Sequence, residues 1–192
     1  YCLKAAAEAL KNNEQRLNEL DKGCGDGDTG STLKRMADAI LQDLDNIPTR
    51  TPHLCLLRLS KLAEEVMGGT SGALYSLMLV GAARHAPDWA AAWQGALDMA
   101  MTYSNARLGS RTMFDALIPA CDVFKDITTR GGTWREALGK AVDAADEGCS
   151  KTQSYKPLFG RASYVDASSV RNIDAGAYGV TVWLKALRTE LL

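Results

Sequence analysis

The chain has 192 residues and a formal net charge of −1, and 46% of its residues are hydrophobic. This length allows one domain with a sizeable core, and the composition is that of a globular protein. The near-neutral balance gives no basis for binding nucleic acid or an anionic membrane, and no apolar run is long enough to span a bilayer. Five scattered cysteines without a Cys-x-x-Cys pair predict reduced, mostly buried thiols in a cytoplasmic protein and argue against a zinc site.

The N-terminal stretch, residues 1–20, is predicted to form one helix, because leucines and alanines recur along one stripe among strong helix formers. The helix is expected to end near Lys22-Gly23, which places Asp21 at its C-terminal end. A carboxylate at that end opposes the helix dipole. A bound cation would offset this small penalty.

An aspartate-rich loop follows this helix and is the most informative stretch of the chain. Asp21, Asp26 and Asp28 fall within eight positions and are interleaved with glycines. Carboxylates this close repel one another unless positive charge lies between them, and oxygen ligands suit Mg²⁺. Thr29, Gly30, Ser31 and Thr32 then open a helix, where hydroxyls and amides suit a phosphate.

Two other known loop motifs do not fit this spacing. An EF-hand needs an acid eleven positions after Asp26, where the chain has Ala37. A P-loop needs a lysine where the chain has Ser31, and no strand-like run precedes it. Asp and Gly are also common turn residues, so spacing alone leaves both a metal–phosphate site and a plain turn open.

Three further helices are predicted before residue 84. The second runs from Ser31 to about Asn46. The third begins at Thr51-Pro52, a hydroxyl cap followed by proline at the first helical position, and runs to about Met67. The run Gly68-Gly69-Thr70-Ser71-Gly72 precedes a fourth helix over 73–83. This run is either a second anion cradle or a turn capped by Thr70 or Ser71.

The fifth and sixth helices are predicted after Pro87-Asp88 and after Gly109. Ser110 is expected to cap the sixth helix, with Arg111 in its first turn. An arginine there opposes the helix dipole unless it meets an anion. It could instead pair with Asp115 on the same helix.

The last part of the chain contains two helices and a long loop. Thr133 and Glu136 predict a capping box for the seventh helix, which is expected to end near Gly148. Residues 150–173 show no helical period and are predicted to be a lid or binding loop. Asp174 is expected to cap the last helix. Eight helices with short connections predict an all-α, antiparallel up-and-down bundle or barrel.

Five stretches in this order resemble the nucleotide-binding L domain of the dihydroxyacetone kinase family, and together they span nearly the whole chain. They are Leu20-Asp21 with Gly25-Asp26-Gly27-Asp28-Thr29-Gly30, Gly68-Gly69-Thr70-Ser71-Gly72-Ala73-Leu74-Tyr75, Gly109-Ser110-Arg111-Thr112-Met113, Gly160-Arg161-Ala162-Ser163-Tyr164 and Asp174-Ala175-Gly176-Ala177. The resemblance implies an eight-helix antiparallel barrel with ATP or ADP capping one end.

The resemblance also implies roles for individual residues. Asp21, Asp26 and Asp28 match the aspartates that hold two Mg²⁺ ions on the phosphates. The matching nucleotide positions are Thr29, Gly30, Ser31, Thr32, Gly69, Thr70, Ser71, Ser104, Arg111, Thr112, Met113, Arg161, Asp174, Ala175 and Gly176. No catalytic residue is defined, although Arg111 is a candidate. Ser110 and Ala175 depart from the aspartate and proline that are common in the family, and Thr29 favours the ATP-dependent members.

The resemblance further implies that the substrate is held by a separate K domain through a histidine, which neither His53 nor His85 matches. Residues 1–192 are therefore expected to be one ATP-binding domain of a longer chain with an N-terminal K domain, homodimeric at full length. The implied function is the ATP-binding half of a dihydroxyacetone or triose kinase. The alternatives are a non-catalytic ADP-binding subunit, the nucleotide site of an FAD-splitting FMN cyclase, and a purely structural helical bundle.

Overall fold

A computed structural model describes residues 1–156, 158 and 172–192, and within these residues the chain is helical with no strand. The short 3₁₀ helix Thr152–Ser154 follows α8. The α-helices are α1 (Cys2–Asn12), α2 (Glu14–Asp21), α3 (Thr29–Asp43), α4 (Pro52–Val66), α5 (Gly69–Ala83), α6 (Trp89–Tyr103), α7 (Phe114–Thr129), α8 (Trp134–Lys151) and α9 (Ala175–Leu191).

The helices form a closed ring. From α3 to α9 each helix packs against the next one in the chain, and α9 packs back against α1, which also contacts α3. Neighbouring helices run antiparallel. Asp43 at the end of α3 contacts Arg58 in the first half of α4. The contacts of Lys185 with Asp146 and of Arg188 with Asp143 run in opposite directions along α9 and α8. With α1 and α2 as one broken segment, the ring has the eight antiparallel members that the sequence predicts, and the all-α prediction is confirmed.

The interior of the ring contains two apolar clusters. One is built mainly from α7, α8 and α9, with Phe114 almost fully buried. The other is built mainly from α1 to α4, with Leu17 of α2 fully buried. Tyr75, Tyr178 and Trp183 pack against both clusters. These aromatic side chains therefore join the two halves of the core.

Several predicted helix starts are confirmed by their caps. The side chains of Asp88, Thr133 and Asp174 each accept a hydrogen bond from an amide in the first turn of the following helix. Pro52 occupies the start of α4 as predicted, but the hydroxyl cap predicted at Thr51 is wrong, because its side chain makes no capping hydrogen bond. Each of these signals works through residues within one helical turn, so the sequence is sufficient to place them.

The first helix differs from its prediction. It is broken at Asn13, whose side-chain Nδ2 donates to the carbonyl of Ala9 while its Oδ1 accepts from the hydroxyl of Tyr178 on α9. An asparagine side chain that bonds to its own helix competes with the backbone ladder. The break separates α1 from α2, which leads into the aspartate-rich loop.

Four other helices also have boundaries that were predicted wrongly. Helix α3 begins at Thr29 and ends at Asp43, so it lies two to three residues earlier than predicted. Helix α5 begins at Gly69 with no side-chain cap, which rules out capping by Thr70 or Ser71. Helix α7 begins at Phe114, four residues after the predicted cap. Helix α8 continues to Lys151, into the stretch predicted as a loop.

The cysteine prediction agrees with the structure. All five cysteines are free, and three of them, Cys24, Cys121 and Cys149, are buried. Burial raises the pKa of Cys121 and of Cys149 to about 12, so both thiols stay protonated at neutral pH. Among the described helices, none is long and apolar enough to cross a membrane.

Candidate nucleotide site at the loop end of the barrel

Four connections meet at one end of the ring, because alternate helices start there. We call this the loop end; it comprises residues 22–28 after α2, 67–68 after α4, 104–113 after α6 and the described flanks of the connection between α8 and α9, residues 152–156 and 172–174. Every described residue that the sequence assigns to nucleotide or metal binding lies at this end or in the helical turn beside it. His53 and His85 are exposed at the opposite end, as predicted for surface positions.

The aspartate-rich loop is organised by one of its own carboxylates. Oδ2 of Asp21 accepts the amides of Asp28 at 3.0 Å and Thr29 at 3.2 Å, and its backbone carbonyl accepts the amide of Gly25 at 2.7 Å. The loop therefore turns back over the end of α2 and delivers the chain to the start of α3. Asp26 and Asp28 stand at its exposed outer side.

Two glycines in this region are required by close approach. A Cβ on Gly25 would overlap Oδ1 of Asp21, so only glycine lets the loop pass this carboxylate. A Cβ on Gly30 would overlap the carbonyl oxygen of Glu14 and lie 2.7 Å from Oδ1 of Asn18. Gly30 thus allows the first turn of α3 to lie directly on α2.

The first turn of α3 is bound to α2 through Ser31. Oδ1 of Asn18 accepts the amide of Ser31 at 3.0 Å, and Nδ2 of Asn18 donates to its hydroxyl at 3.1 Å, which in turn donates to Glu14 at 3.3 Å. The polar groups of Ser31 are therefore occupied by α2. Thr32 is buried, and its hydroxyl accepts from Nη2 of Arg35 at 3.1 Å.

Arg111 lies outside helix α7 and is only 3% exposed, with a φ of 61°. Nη1 donates to the carbonyl of Thr152 at 2.5 Å, and Nη2 donates to the carbonyl of Asn172 at 2.6 Å and approaches Sγ of Cys24 at 3.5 Å. Nε is buried and finds no partner among the described residues. One guanidinium thus joins the aspartate-rich loop, the 104–113 connection and the two flanks of the α8–α9 connection.

The turn that presents Arg111 is shaped by Asp115. This fully buried carboxylate accepts the amide of Gly109 at 2.5 Å and the amide of Thr112 at 2.9 Å. The predicted alternative, an Arg111–Asp115 ion pair, does not form; the carboxylate caps the backbone turn instead. Ser110 does not cap α7, because its hydroxyl accepts the amide of Arg107 at 3.0 Å.

Asp174 closes the loop end at the start of α9. Its amide donates to Thr152 at 2.8 Å, and its Oδ2 accepts the amide of Ala177 at 2.8 Å. Burial raises the pKa of Asp174 to about 6, the Ala177 hydrogen bond and the Arg111 charge oppose this rise, and the charges of Asp115 and Asp21 add to it. The negative charge of Asp21 in the aspartate-rich loop is therefore one of the groups that raise the pKa of Asp174 at the start of α9.

The other predicted positions divide into three groups. Met113 and Gly176 are brought together, since a Cβ on Gly176 would lie 3.4 Å from the amide of Met113. Thr70 is exposed and Ser71 partly exposed in the first turn of α5. Among the remaining predicted positions, Ser104 accepts the amide of Ala106, Ala175 is buried, and Arg161 lies outside the described residues together with most of the predicted 150–173 loop.

The donor chemistry of the aspartate-rich loop fits Mg²⁺, which takes carboxylate oxygens and retains waters. Asp26 and Asp28 are exposed, and Asp21 is fixed by the amides it accepts. Among the residues that the structure describes, no three acidic, histidine or cysteine side chains converge closely enough to hold a metal ion by themselves. A metal at this loop would therefore need oxygens from a ligand or from water as well.

Comparison with known proteins identifies the family. Residues 23–189 match the DAK2 domain. The chain belongs to the DAK2 domain family. The resemblance to the L domain of dihydroxyacetone kinases is thereby confirmed over almost the whole chain.

Three relatives illustrate how this DAK2 domain compares with proteins of known name. Triokinase/FMN cyclase of Mus musculus is 38% identical over 181 residues, which cover 91% of this chain and 31% of the relative. Dihydroxyacetone kinase 1 of Saccharomyces cerevisiae is 36% identical over 203 residues, covering 98% and 33%. The dihydroxyacetone kinase of C. freundii in complex with AMP-PNP and Mg²⁺ superposes with a TM-score of 0.81 at 28% identity, covering 98% and 33%. The chain thus spans about a third of the length of the relatives it matches.

Sequence reasoning missed several residues that build this end of the DAK2 domain. Asn18 and Arg35 lie within predicted helices and carry no motif, yet they bind the first turn of α3 to α2 and to α4. Thr152 was placed in a loop, although it is fully buried and joins Arg111 to Asp174. Apart from Thr32, which lies three residues before Arg35, these partners are 13 to 41 residues away, so no local pattern could have revealed them.

Proposed function

We propose that this DAK2 domain binds Mg–ATP at its loop end and is the ATP-binding part of a kinase for dihydroxyacetone or a similar short ketose or triose. The observation that carries this proposal is the geometry of the aspartate-rich loop. Asp21 holds the loop closed through the amides of Asp28 and Thr29, and Asp26 and Asp28 are exposed. The C. freundii relative with AMP-PNP and Mg²⁺ supports the choice of ligand.

Charge balance explains why the nucleotide would need the metal. ATP carries close to four negative charges, and the three aspartates add three more. Two Mg²⁺ ions on Asp21, Asp26 and Asp28 would neutralise much of this charge and polarise the phosphates. The chain itself then contributes position: Ser31 is bound to α2 and Thr32 to Arg35, so the hydroxyl of Thr29 and the first turn of α5 would be the donors for the phosphates.

The rest of the proposed site comes from the positions that match the family. Ser104, Thr112 and Met113 line the nucleotide together with Asp174, Ala175 and Gly176, and Arg161 lies between the two groups in the chain. Met113 already abuts Gly176, which supports a shared surface. Because Arg111 is buried and bound to backbone carbonyls, we assign it the support of these loops rather than the chemistry.

The acceptor sugar is proposed to be held by a K domain that precedes this domain in a longer, homodimeric chain. This domain spans a third of relatives that are named as kinases, and both histidines lie far from the loop end. Without a group that fixes the sugar, the acceptor hydroxyl is not held in line with the phosphate, and the advantage of orientation is lost. We therefore expect no sugar phosphorylation by the isolated domain.

The nucleotide assignment is tested by calorimetry on Asp26→Asn and Asp28→Asn. Each substitution keeps the shape of the side chain and removes one metal ligand. We expect Mg–ATP affinity to fall at least tenfold, about 1.4 kcal/mol. Asp45→Asn, an exposed aspartate just beyond the far end of α3, is the matched control and should bind like the unsubstituted domain. Unchanged affinity in both loop variants would refute the metal assignment.

The division of labour is tested by an ADP-release assay with dihydroxyacetone varied at saturating Mg–ATP. The domain alone should show no sugar-dependent rate, and addition of a K domain should produce one along with the phosphate ester. The double variant His53→Ala, His85→Ala serves as the control for an unrecognised acceptor site. A saturable sugar-dependent rate that survives in this variant without a K domain would overturn the proposal.

A second activity is favoured by the name of one relative, the mouse triokinase/FMN cyclase, at 38% identity. We propose that the same loop end accepts FAD, whose diphosphate presents the same oxygens to the metal as a nucleoside phosphate. FAD should then compete with Mg–ATP, and Asp28→Asn should weaken both. FAD binding that persists in this variant would place the flavin elsewhere.

A further inference from the structure

Arg35 joins two helix termini that both belong to the loop end. It lies on α3, one turn after Thr32, and its side chain reaches across to the end of α4. Nε donates to the carbonyl of Val66 at 2.9 Å, and Nη2 donates to the carbonyl of Met67 at 2.6 Å and to the hydroxyl of Thr32 at 3.1 Å. The guanidinium thus donates to two backbone oxygens and one hydroxyl.

The carbonyls at the end of α4 are suited to a charged donor. The last carbonyls of a helix lack partners within the helix and form the negative end of its dipole. A planar guanidinium can bind two neighbouring oxygens at once, which fixes orientation as well as distance. A lysine ammonium on a flexible stem cannot reproduce this fork.

The position of α5 depends on this contact. Gly68 and Gly69 follow Met67 directly, with φ values of 71° and 61°, and they turn the chain straight into the first turn of α5. Only two residues separate α4 from α5, so whatever holds the end of α4 also holds the start of α5. Through Thr32 the same side chain is anchored to the first turn of α3.

We infer that Arg35 is a positioning residue that sets the separation of the two phosphate-binding turns, Thr29–Thr32 and Gly69–Ser71. The inference rests on the proposed function, because it takes these turns as the phosphate sites. Arg35 acts through the backbone of α4 and contacts no phosphate itself. Replacement of Arg35 should therefore lower the affinity for Mg–ATP and for Mg–ADP by the same factor.

The experiment compares Arg35→Gln and Arg35→Lys with Arg58→Gln in the complete chain. Arg58 is a matched control because it also links α4 to α3, through Asp43 at 2.5 Å, but at the opposite end of the ring. Hydrogen exchange of peptides covering 63–75 is measured without ligand, and affinities for Mg–ATP and Mg–ADP are measured by calorimetry.

We expect faster exchange over 63–75 in both Arg35 variants but not in Arg58→Gln. Both Arg35 variants should lose at least fivefold in affinity, by the same factor for Mg–ATP and Mg–ADP, and lysine should not rescue. Unchanged exchange in Arg35→Gln would overturn the inference whatever the affinities show. Rescue by lysine, or a loss confined to Mg–ATP, would also overturn it in favour of a direct phosphate contact.

The same experiment distinguishes failure of the proposed function from failure of the inference on Arg35. If the unsubstituted chain binds neither nucleotide, the proposed function is refuted, and so is the positioning of a nucleotide site, even if exchange over 63–75 responds. If it binds both nucleotides and only the Arg35 effects are missing, the inference on Arg35 fails while the proposed function stands.

Discussion

Replacing the buried Arg111 by methionine gives the sharpest test of how the loop end is held together. Methionine keeps much of the side-chain length and apolar stem but removes the charge and all donors. The carbonyls of Thr152 and Asn172, now bound at 2.5 and 2.6 Å, lose their charged partner. We therefore expect three chain segments to loosen at once.

The magnitude follows from these two hydrogen bonds. A bond to a charged group contributes about 1.5–3 kcal/mol, so the two together contribute about 3–6 kcal/mol. The cost of burying the guanidinium, whose Nε has no partner among the described residues, offsets part of this gain. The net loss of unfolding free energy for Arg111→Met should be about 3 kcal/mol, or roughly 6–12 °C in Tm for a domain of this size.

The assay is urea unfolding followed by circular dichroism, with Arg111→Lys as the intermediate variant. Lysine keeps the charge but cannot span both carbonyls, so it should lose about half as much as methionine. In Arg111→Met the pKa of Asp174 should also rise above its present value of about 6, because the Arg111 charge now lowers it. An unfolding free energy for Arg111→Met within about 0.5 kcal/mol of that of the unsubstituted chain would refute the structural role.

Two other predictions concern the same end of the ring. The folded-state pKa of Asp174, about 6, lies above its ordinary value of 3.8. Protonation of Asp174 therefore stabilises the folded state relative to the unfolded state. Stability should therefore fall by about 1–3 kcal/mol as pH rises from 4 to 6. Asp174→Asn, which keeps the cap on Ala177, should lack this fall in thermal unfolding, and an identical pH profile would contradict the assignment. Gly30→Ala should push α3 off α2, because its Cβ would meet Glu14 and Asn18. It should cost about 1–3 kcal/mol in urea unfolding, whereas Gly139→Ala, in more open space, should not.

The sequence by itself determined the features that depend on neighbours along the chain. The helix starts at Pro52, Asp88, Thr133 and Asp174 were predicted because a cap or proline acts within one turn. Helical segments with apolar stripes, joined by short connections, were sufficient to predict an all-α antiparallel bundle or barrel. The aspartate-rich loop was found for the same reason, since its carboxylates and glycines lie within a few positions of one another.

The tertiary structure decided which hydrogen-bond partners the polar side chains have. Arg111 was predicted to face an anion or Asp115, but its partners are Thr152 and Asn172, 41 and 61 residues away. Helix α7 starts late because Asp115 takes the amides of the preceding turn, and the first helix breaks where Asn13 meets α9. Buried donors and acceptors must be paired wherever the fold brings a partner. Such pairings depend on which helices lie side by side, and that is fixed only when the ring closes.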